Sequence, residues 1–321
     1  MLIRTMNRDD IKDVTSLFNE VCHLQKLPYK PLNNLTCHSH FLGHDKANLS
    51  FVLYENYDMN GFISGFIDED KAYITMIMVQ PKKQRKSYGT LLLQTFENHV
   101  KSLSDAIHSI DLVFFNPVHL AWFIPNTPYH DHPNSPGVLL DSNAYFFFTK
   151  HNYQTYAIQN SYYKPLTQDT YDLNMNNRLD ELNKQGISIM CYNPQIHSSF
   201  EALFDDLKNE GWKKAIEQAL VKQQDILVVT DHNHVIGFAG PLDVEPSKRG
   251  YFAGIGIHSK YRSQKIGKVL FHILTIELKK HGATFMSLFT GDQNPARYVY
   301  EHEGFNIVAT WANMRKLTSS I

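Results

Sequence analysis

The chain has 321 residues, more than the ~100–200 of one domain, so two domains are expected. Hydrophobic residues make up 43% of it and charged residues 20%, the balance of a globular protein rather than a disordered or fibrous one. Lysine plus arginine number 31 against 32 acidic residues, a net charge of −1, which argues against a broad phosphate-binding surface and so against nucleic acid as the main partner.

Residues 2–6 read as a short strand, and DDIKDVTSLFNEVCHL as a helix with Asp9 or Asp10 as cap and Ile11, Val14, Leu17 and Phe18 on one face. NLSFVLYEN and MNGFISGFIDE are two strands split by a turn, and AYITMIMV (72–79) is a third. After QPKKQRKSYG comes a helix with Leu91, Leu92, Phe96 and Val100 as its apolar stripe, then a buried-type strand over 108–116. The second half repeats this order. GISIMCYN is a strand, SSFEALFDDLKN and EGWKKAIEQALVKQ are helices, and DILVVTDHNHVIGFAG is a hairpin turning at DHNH. GYFAGIGIHS (250–259) is a strand, KVLFHILTIELKKHG a helix ending at Gly282, and ATFMSLFTG a strand.

The halves overlay. IMVQPKKQRKSYG (77–89) matches IGIHSKYRSQKIG (255–267) without gaps, at an offset of 178. SNAYFFFTKHNY (142–153) matches NPARYVYEHEGF (294–305) at an offset of 152, so the first half carries 26 extra residues between the two segments. They are PVHLAWFIPNTPYHDHPNSPGVLLD (117–141), an insertion expected to be a loop or lid. A repeat of this size is a duplicated domain, since solenoid periods are ~20–50 residues. The expected division is a first domain at 1–163, a polar linker at 164–185 with a short helix over LNMNNRLDEL, and a second domain at 186–321.

The segment KYRSQKIGK leads from a strand into a helix. The first amides of that helix lack partners within it and carry partial positive charge, so a turn feeding them is suited to a pyrophosphate. Gly267 permits close approach, and Arg262, Lys265 and Lys268 add charge. A solvated basic face is the alternative reading. Gly254 and Gly256 alternate in the preceding strand, marking either a bulge, a ligand's approach to the backbone, or close packing on a helix.

On these residues the sequence resembles the GNAT N-acetyltransferases, whose pattern is a strand, then [R/Q]-x-x-G-x-[G/A], then a helix. The chain has Arg262-Ser263-Gln264-Lys265-Ile266-Gly267, and in the first half Gln84-Arg85-Lys86-Ser87-Tyr88-Gly89. Lys265 and Ser87 replace the first family glycine; the last glycine is kept. The later segment, with Asn294, Ala296, Tyr300, Gly304 and Phe305, resembles the family's N-x-x-A-x-x-x-Y-x-x-x-G-F in spirit. The resemblance covers the whole chain once per half, in the layout of tandem GNAT proteins. It implies an α/β fold of two tandem domains, each a twisted mixed sheet with helices on both faces, and acetyl-CoA as co-substrate held by Ile255, Gly256, Ile257 and the 262–268 loop.

By resemblance Tyr300 donates a proton to the departing CoA thiolate, a role for which a phenol within hydrogen-bond reach is suited. Asn294 would contact the pantetheine arm or an ordered water, and the amides of Ile255, Gly256 and Ile257 would polarise the thioester carbonyl. Read from the residues alone, Tyr300 is rather a helix aromatic packed in the core with its hydroxyl reaching the surface. The first half has Phe148 at the Tyr300 place and Ser142 at the Asn294 place, so it is expected to be degenerate, either a CoA-binding or a purely structural half. Glu245 heads the candidate general bases, with Asp243, His258 and Asp292 behind it. Trp311 and Asn313 are candidates for facing the second half's acceptor site, or for ordinary strand packing. The acceptor is expected to be the amine of a small molecule or peptide; a non-catalytic acyl-CoA-binding or regulatory protein is the competing class.

HDHP (130–133) with His119 invites a metal reading, but a full site needs three or four ligands, and no metal is expected. Aromatic packing over a pocket by Trp122, Phe123 and Tyr129 is the alternative. Cys22, Cys37 and Cys191 are few and widely spaced, which fits a reducing compartment. The N-terminus shows no signal-peptide pattern and no stretch approaches ~20 apolar residues, so a cytoplasmic protein without membrane contact is expected.

Overall fold

The computed structural model of the chain describes residues 1–43, 47–104, 106–112, 118–166 and 173–320. These form two compact units, one of residues 1–161 together with 308–321 and one of residues 162–307.

Unit 1 opens with β1 (Leu2–Thr5), α1 (Ile11–Leu24) and α2 (Asn34–Phe41). The carboxylate of Asp10 does not cap α1; it accepts the Asn7 N–H at 2.8 Å and takes both arms of Arg4 at 2.7 Å. α1 buries Val14, Leu17, Phe18 and Val21 at helical spacing. An antiparallel run follows in β2 (Ala47–Glu55), β3 (Asp58–Asp68) and β4 (Lys71–Val79). α3 (Tyr88–Leu103) crosses back to β5 (Ser109–Leu112), which pairs with β4 in parallel. The expected continuation of that strand over 113–116, like the start of the insertion at Pro117, lies outside the described residues.

The insertion is described from Val118 onward. It contributes β6 (Trp122–Phe123), β7 (Asp131–His132) and β8 (Val138–Leu139), and α4 (Asn143–Lys150) and β9 (Gln154–Pro165) follow. β6 and β7 pair with each other. Trp122 is fully buried, its ring stacked at 5.7 Å on His132 and its Nε1 donating to the Asn134 carbonyl. Trp122 and His132 are therefore core residues. Among the described residues no three His, Cys, Asp or Glu side chains gather as a metal site.

Unit 2 contains α5 (Leu173–Lys184), β10 (Ile187–Cys191), α6 (Glu201–Leu207), α7 (Glu210–Val221), β11 (Leu227–Asp231) and β12 (His234–Gly240). It continues with β13 (Asp243–Val244), β14 (Arg249–Tyr251), β15 (Gly254–Ile257), α8 (Ile266–Lys280), β16 (Phe285–Gly291) and α9 (Arg297–His302). The last strand is β17 (Asn306–Leu317). Strands β10, β11, β12 and β15 form an antiparallel sheet, while β14 pairs with β13 on one side and in parallel with β16 on the other. The one strand expected over 250–259 is thus two, parted at Phe252 and Ala253.

Two expectations about domain limits change. α5 is not a free linker: Leu182 is fully buried and, with Met175, belongs to the main apolar cluster of unit 2. Residues 167–172 of the expected linker lie outside the described residues. The end of the chain, assigned by its sequence to the second domain, belongs from Val308 onward to unit 1, where β17 lies between β5 and β9. Reciprocally, the 162–165 end of β9 joins unit 2 beside β16, and Leu166 donates to the Thr284 carbonyl. Strand pairing is made by backbone groups that every residue carries, so a neighbouring strand of matching length and register serves either unit.

Candidate active site

Each unit has a parallel strand pair ahead of its loop, and in unit 1 the residues after Leu112, up to 117, lie outside the described ones. In unit 1, β4 and β5 pair from Lys71↔Ser109 to Ile74↔Leu112, while β4 runs on to Val79. In unit 2, β14 pairs with β16 at Arg249↔Phe285 and Gly250↔Met286, after which β15 pairs with β12. In unit 2 the strand pair thus parts, β15 having β12 as its partner among the described strands.

The loop that follows β4 and the loop that follows β15 are built alike. β4 ends at Val79 and β15 at Ile257, and α3 starts at Tyr88 and α8 at Ile266, all at the repeat offset of 178. Gln84 Nε2 donates to the Val79 carbonyl at 3.1 Å, and Arg262 Nε donates to the Ile257 carbonyl at 3.2 Å. The first position of the motif thus accepts glutamine or arginine because either side chain brings an N–H to the same strand-ending carbonyl. Ser87 (φ 66°) and Lys265 (φ 59°), the replacements for the family glycine, both adopt the left-handed conformation that glycine would take freely. The loop shape survives the substitution, and the first amides of α3 and α8 face outward from the turn.

In unit 2 two side chains that the sequence reading missed hold this loop. Asp206 of α6 accepts the backbone N–H and the hydroxyl of Ser259 at 2.7 and 2.6 Å, and those bonds keep its carboxyl below the usual range. Arg178 of α5 donates to the Gln264 carbonyl at 2.8 Å. Neither belongs to the motif, and no local pattern in α5 or α6 marks them. Ile255 and Ile257 pack against the apolar cluster that contains Ile266, Leu270, Phe271 and Tyr300, so the strand, the helix and the phenol share one body. Gly256 and Gly254 are explained by packing: an added Cβ would stand 2.7 Å from Leu207 and 2.5 Å from the Trp212 ring.

Tyr300 sits on α9 with its ring 5.0 Å from Phe271 and 6.0 Å from Tyr162. It is 9% exposed, and burial pushes its hydroxyl up to about 12. The phenol therefore stays protonated throughout the neutral range and is available as a donor. Asn294 Oδ1 accepts the Ala296 N–H at 3.0 Å, fixing the turn into α9; Ser142 does the same for α4 by accepting the Tyr145 N–H. Glu245 is not grouped with Tyr300. It accepts Nε and Nη2 of Arg249 at 2.8 and 2.6 Å, while Arg249 Nη1 holds the Ser287 carbonyl. This double ion pair engages both carboxylate oxygens of Glu245. Asp243 accepts its neighbour's Val244 N–H, His258 Nδ1 accepts the Lys260 N–H, and Asp292 accepts the Gln293 amide. Trp311 and Asn313 lie in unit 1, where Trp311 Nε1 donates to Ser161 and Asn313 Nδ2 to the Pro136 carbonyl. Both are buried there, in keeping with the strand-packing alternative.

Unit 1 holds a cavity of about 900 Å³. It runs along the end of β4 (Ile74 to Val79), past Leu112, the 84–90 loop, the insertion and α4. Phe148, at the place of Tyr300, lines it and is packed at 5.2 Å on Tyr153.

The sequence profile of the acetyltransferase (GNAT) family matches residues 12–121 and again 193–305, together well over half of the chain. None of the curated proteins compared matches the chain. Among solved structures, the fold is similar to the GCN5-related glucosamine N-acetyltransferase region of a fungal multi-domain GH3 beta-N-acetylglucosaminidase, with TM-score 0.69 and 18% identity over 98% of this chain. Of that longer protein the chain spans 38%. It is also similar over 99% of its length to a GCN5-related N-acetyltransferase from Sphaerobacter thermophilus (TM-score 0.61, 12% identity, 95% of that chain). A tandem GNAT protein from the clavulanic acid biosynthesis pathway is similar over 99% of this chain and 98% of its own (TM-score 0.58, 12% identity). With one profile match in each half and two halves of like construction, the chain belongs to the GNAT acetyltransferase family, acyltransferases that use acetyl-CoA as co-substrate.

Proposed function

We propose that the protein is an acetyl-CoA-dependent N-acetyltransferase acting on an amine of a small molecule or peptide, with the transfer carried out in unit 2. The residues there fit the co-substrate: a left-handed Lys265 turns the loop so that α8 presents its first amides, and Gly267 leaves open space, its Cβ position having only Ile257 Cγ1 at 3.9 Å. Acetyl-CoA would supply the acetyl thioester. Gly267, Lys268 and the helix start would hold phosphate, β15 amides would face the carbonyl, and Tyr300 would donate its proton to the departing sulfur.

The observation that carries this reading is the buried Tyr300, packed against the helix that begins at the phosphate loop. Turnover is measured with a panel of amines, and glucosamine, the amine named for the fungal region of similar fold, is included. Tyr300→Phe is expected to lower kcat about 100-fold or more with KM for acetyl-CoA little changed. A variant that matched the parent on every accepted amine at several pH values would remove Tyr300 from the chemistry.

A second reading concerns unit 1, and the cavity favours it. The 84–90 loop and the end of β4 line a cavity of about 900 Å³, within the ~300–1,000 Å³ range of small-molecule sites, so unit 1 is read as a CoA-thioester holder without the phenol.

A further inference from the structure

The helix that carries Tyr300 is short. α9 has six residues and no side chain capping its first turn, and a helix below ~12–15 residues is marginal by itself. Its counterpart α4 has eight residues and Ser142 as cap. What fixes α9 lies at its far end. Glu303 follows Tyr300 by three residues, which puts the two on one face. That face lies on α8: the Tyr300 ring is 5.0 Å from Phe271, and Glu303 Oε2 is 3.0 Å from Nδ1 of the next residue, His272. Thr275 Oγ1 donates to Glu303 Oε1 at 3.3 Å, and Lys164 of β9 donates to the same oxygen at 2.7 Å. The side chains of Lys164, His272 and Glu303 are all buried, and all three belong to unit 2. His272 Nε2 is buried without a hydrogen-bond partner, so Glu303 is the only group that anchors this ring by hydrogen bonds.

Unit 1 keeps the lysine and moves the carboxylate. Lys316, at the place of Lys164, lies over the Tyr153 ring at 5.8 Å as Lys164 lies over the Phe305 ring at 5.9 Å. Its partner is Glu97 on α3, and the residue at that place in α8 is Thr275. At the place of Glu303 unit 1 has His151, whose Nδ1 is 2.8 Å from the Phe147 carbonyl of its own helix. The lysine thus ties its strand to α3 in unit 1 and to the end of α9 in unit 2. The carboxylate stands beside the phenol position only in the unit where that position holds a phenol.

We propose that Lys164, His272 and Glu303 are positioning residues for acetyl transfer: they clamp α9 to α8 and so hold the Tyr300 hydroxyl where it delivers its proton. This rests on the reading of Tyr300 as the general acid. A reacting group misplaced by about 1 Å loses ~100-fold in rate, and that is the scale of effect the clamp controls.

The test is a double-mutant cycle on the full chain. Release of CoA from acetyl-CoA is followed with the fastest amine of the panel, and with water alone. Lys164→Met and, independently, His272→Leu are expected to lower kcat about 10- to 100-fold, with KM for acetyl-CoA changed by less than about twofold. Lys164→Arg and His272→Asn keep an N–H toward the carboxylate and are expected to retain most of the parent rate. In a Tyr300→Phe background, Lys164→Met is expected to lower kcat by no more than about twofold further, because the phenol through which it acts is gone. Glu303→Gln also strips unit 2 of a stabilising ion pair, so the lysine and histidine variants carry the test, and an unchanged KM for acetyl-CoA reports that unit 2 is folded. Full additivity of Lys164→Met with a slow Tyr300→Phe would overturn the clamp and leave a purely structural ion pair. A loss confined to KM, or parent-like kcat in both Lys164→Met and His272→Leu, would overturn it too. Parent-like turnover by Tyr300→Phe, or a parent that releases no CoA to any amine or to water, would instead sink the reading of Tyr300 as the acid, and the clamp with it.

Discussion

Ser87 and Lys265 each bear a side chain at a left-handed turn, where an L-residue other than glycine costs ~1–2 kcal/mol. Glycine would relieve that strain but add chain entropy in the unfolded state, ~0.5–1 kcal/mol. Lys265→Gly is therefore expected to raise stability slightly, by about 0.5 kcal/mol, and Lys265→Val to lower it by more than 1 kcal/mol, as read from urea denaturation. Equal stability of the glycine and valine variants would show that the turn is not held as described. The substitution of the family glycine was plain in the sequence, but its consequence was not: only the backbone angle shows that the loop keeps its form. Arg178 and Asp206 were invisible for another reason. They reach the loop from helices remote in the chain, 86 residues from Gln264 and 53 from Ser259.

At the scale of elements, β9 and β17 match end to end, 306 and 317 standing 152 residues beyond 154 and 165. Each brings a lysine at the same place into a buried ion pair. Lys316 meets both oxygens of Glu97 at 3.0 Å in unit 1, and Lys164 meets Glu303 at 2.7 Å in unit 2. β17 also anchors the insertion: Trp311↔Leu139 and Ala312↔Val138 pair, and a Cβ on Gly137 (φ 155°) would come 2.6 Å from the Ala312 carbonyl. Removal of residues 308–321 would expose Trp311's packing site and leave Glu97 and Asp111 buried without Lys316 and Arg315. Breaking one such buried pair costs ~3–5 kcal/mol. Truncation after Ile307 is expected to unfold unit 1 while unit 2 keeps its protection, as measured by amide hydrogen exchange of peptides from each. Loss of protection in 186–300 first would contradict this assignment of β17.

For the whole molecule, each unit owns a buried carboxylate held ionised by a cation. Burial alone would raise Glu303, but the hydrogen bonds from His272 and Lys164 hold it below the usual range. Asp10 is likewise held down, burial being outweighed by Arg4 and the Asn7 N–H. A carboxyl with a depressed folded pKa stabilises the fold above its unfolded value, ~4.3 for Glu, and that stability is lost as pH falls through the lower folded value. Both units should therefore weaken below about pH 4. Glu303→Gln is expected to cost unit 2 about 3 kcal/mol at pH 7 by leaving Lys164 unpaired, with the difference from the parent shrinking toward pH 3. Thermal unfolding followed from pH 7 to 3 checks this; a gap that stayed constant would show that Glu303 is not the ionised partner. No helix among the described residues is long and apolar enough to cross a membrane.

The order of elements and the two like-built loops before α3 and α8 were written in the sequence because they are local. Helix stripes, strand runs and the 178-residue offset all depend on neighbours within a few turns of chain. The phenol at 300 and its absence at 148 were equally legible as residue types. The cavity of unit 1, the engagement of Glu245 by Arg249, and the passage of β17 into unit 1 were decided only by tertiary structure. A strand's backbone hydrogen bonds carry no sequence label, and a cavity is the space left between elements whose separation no single segment encodes.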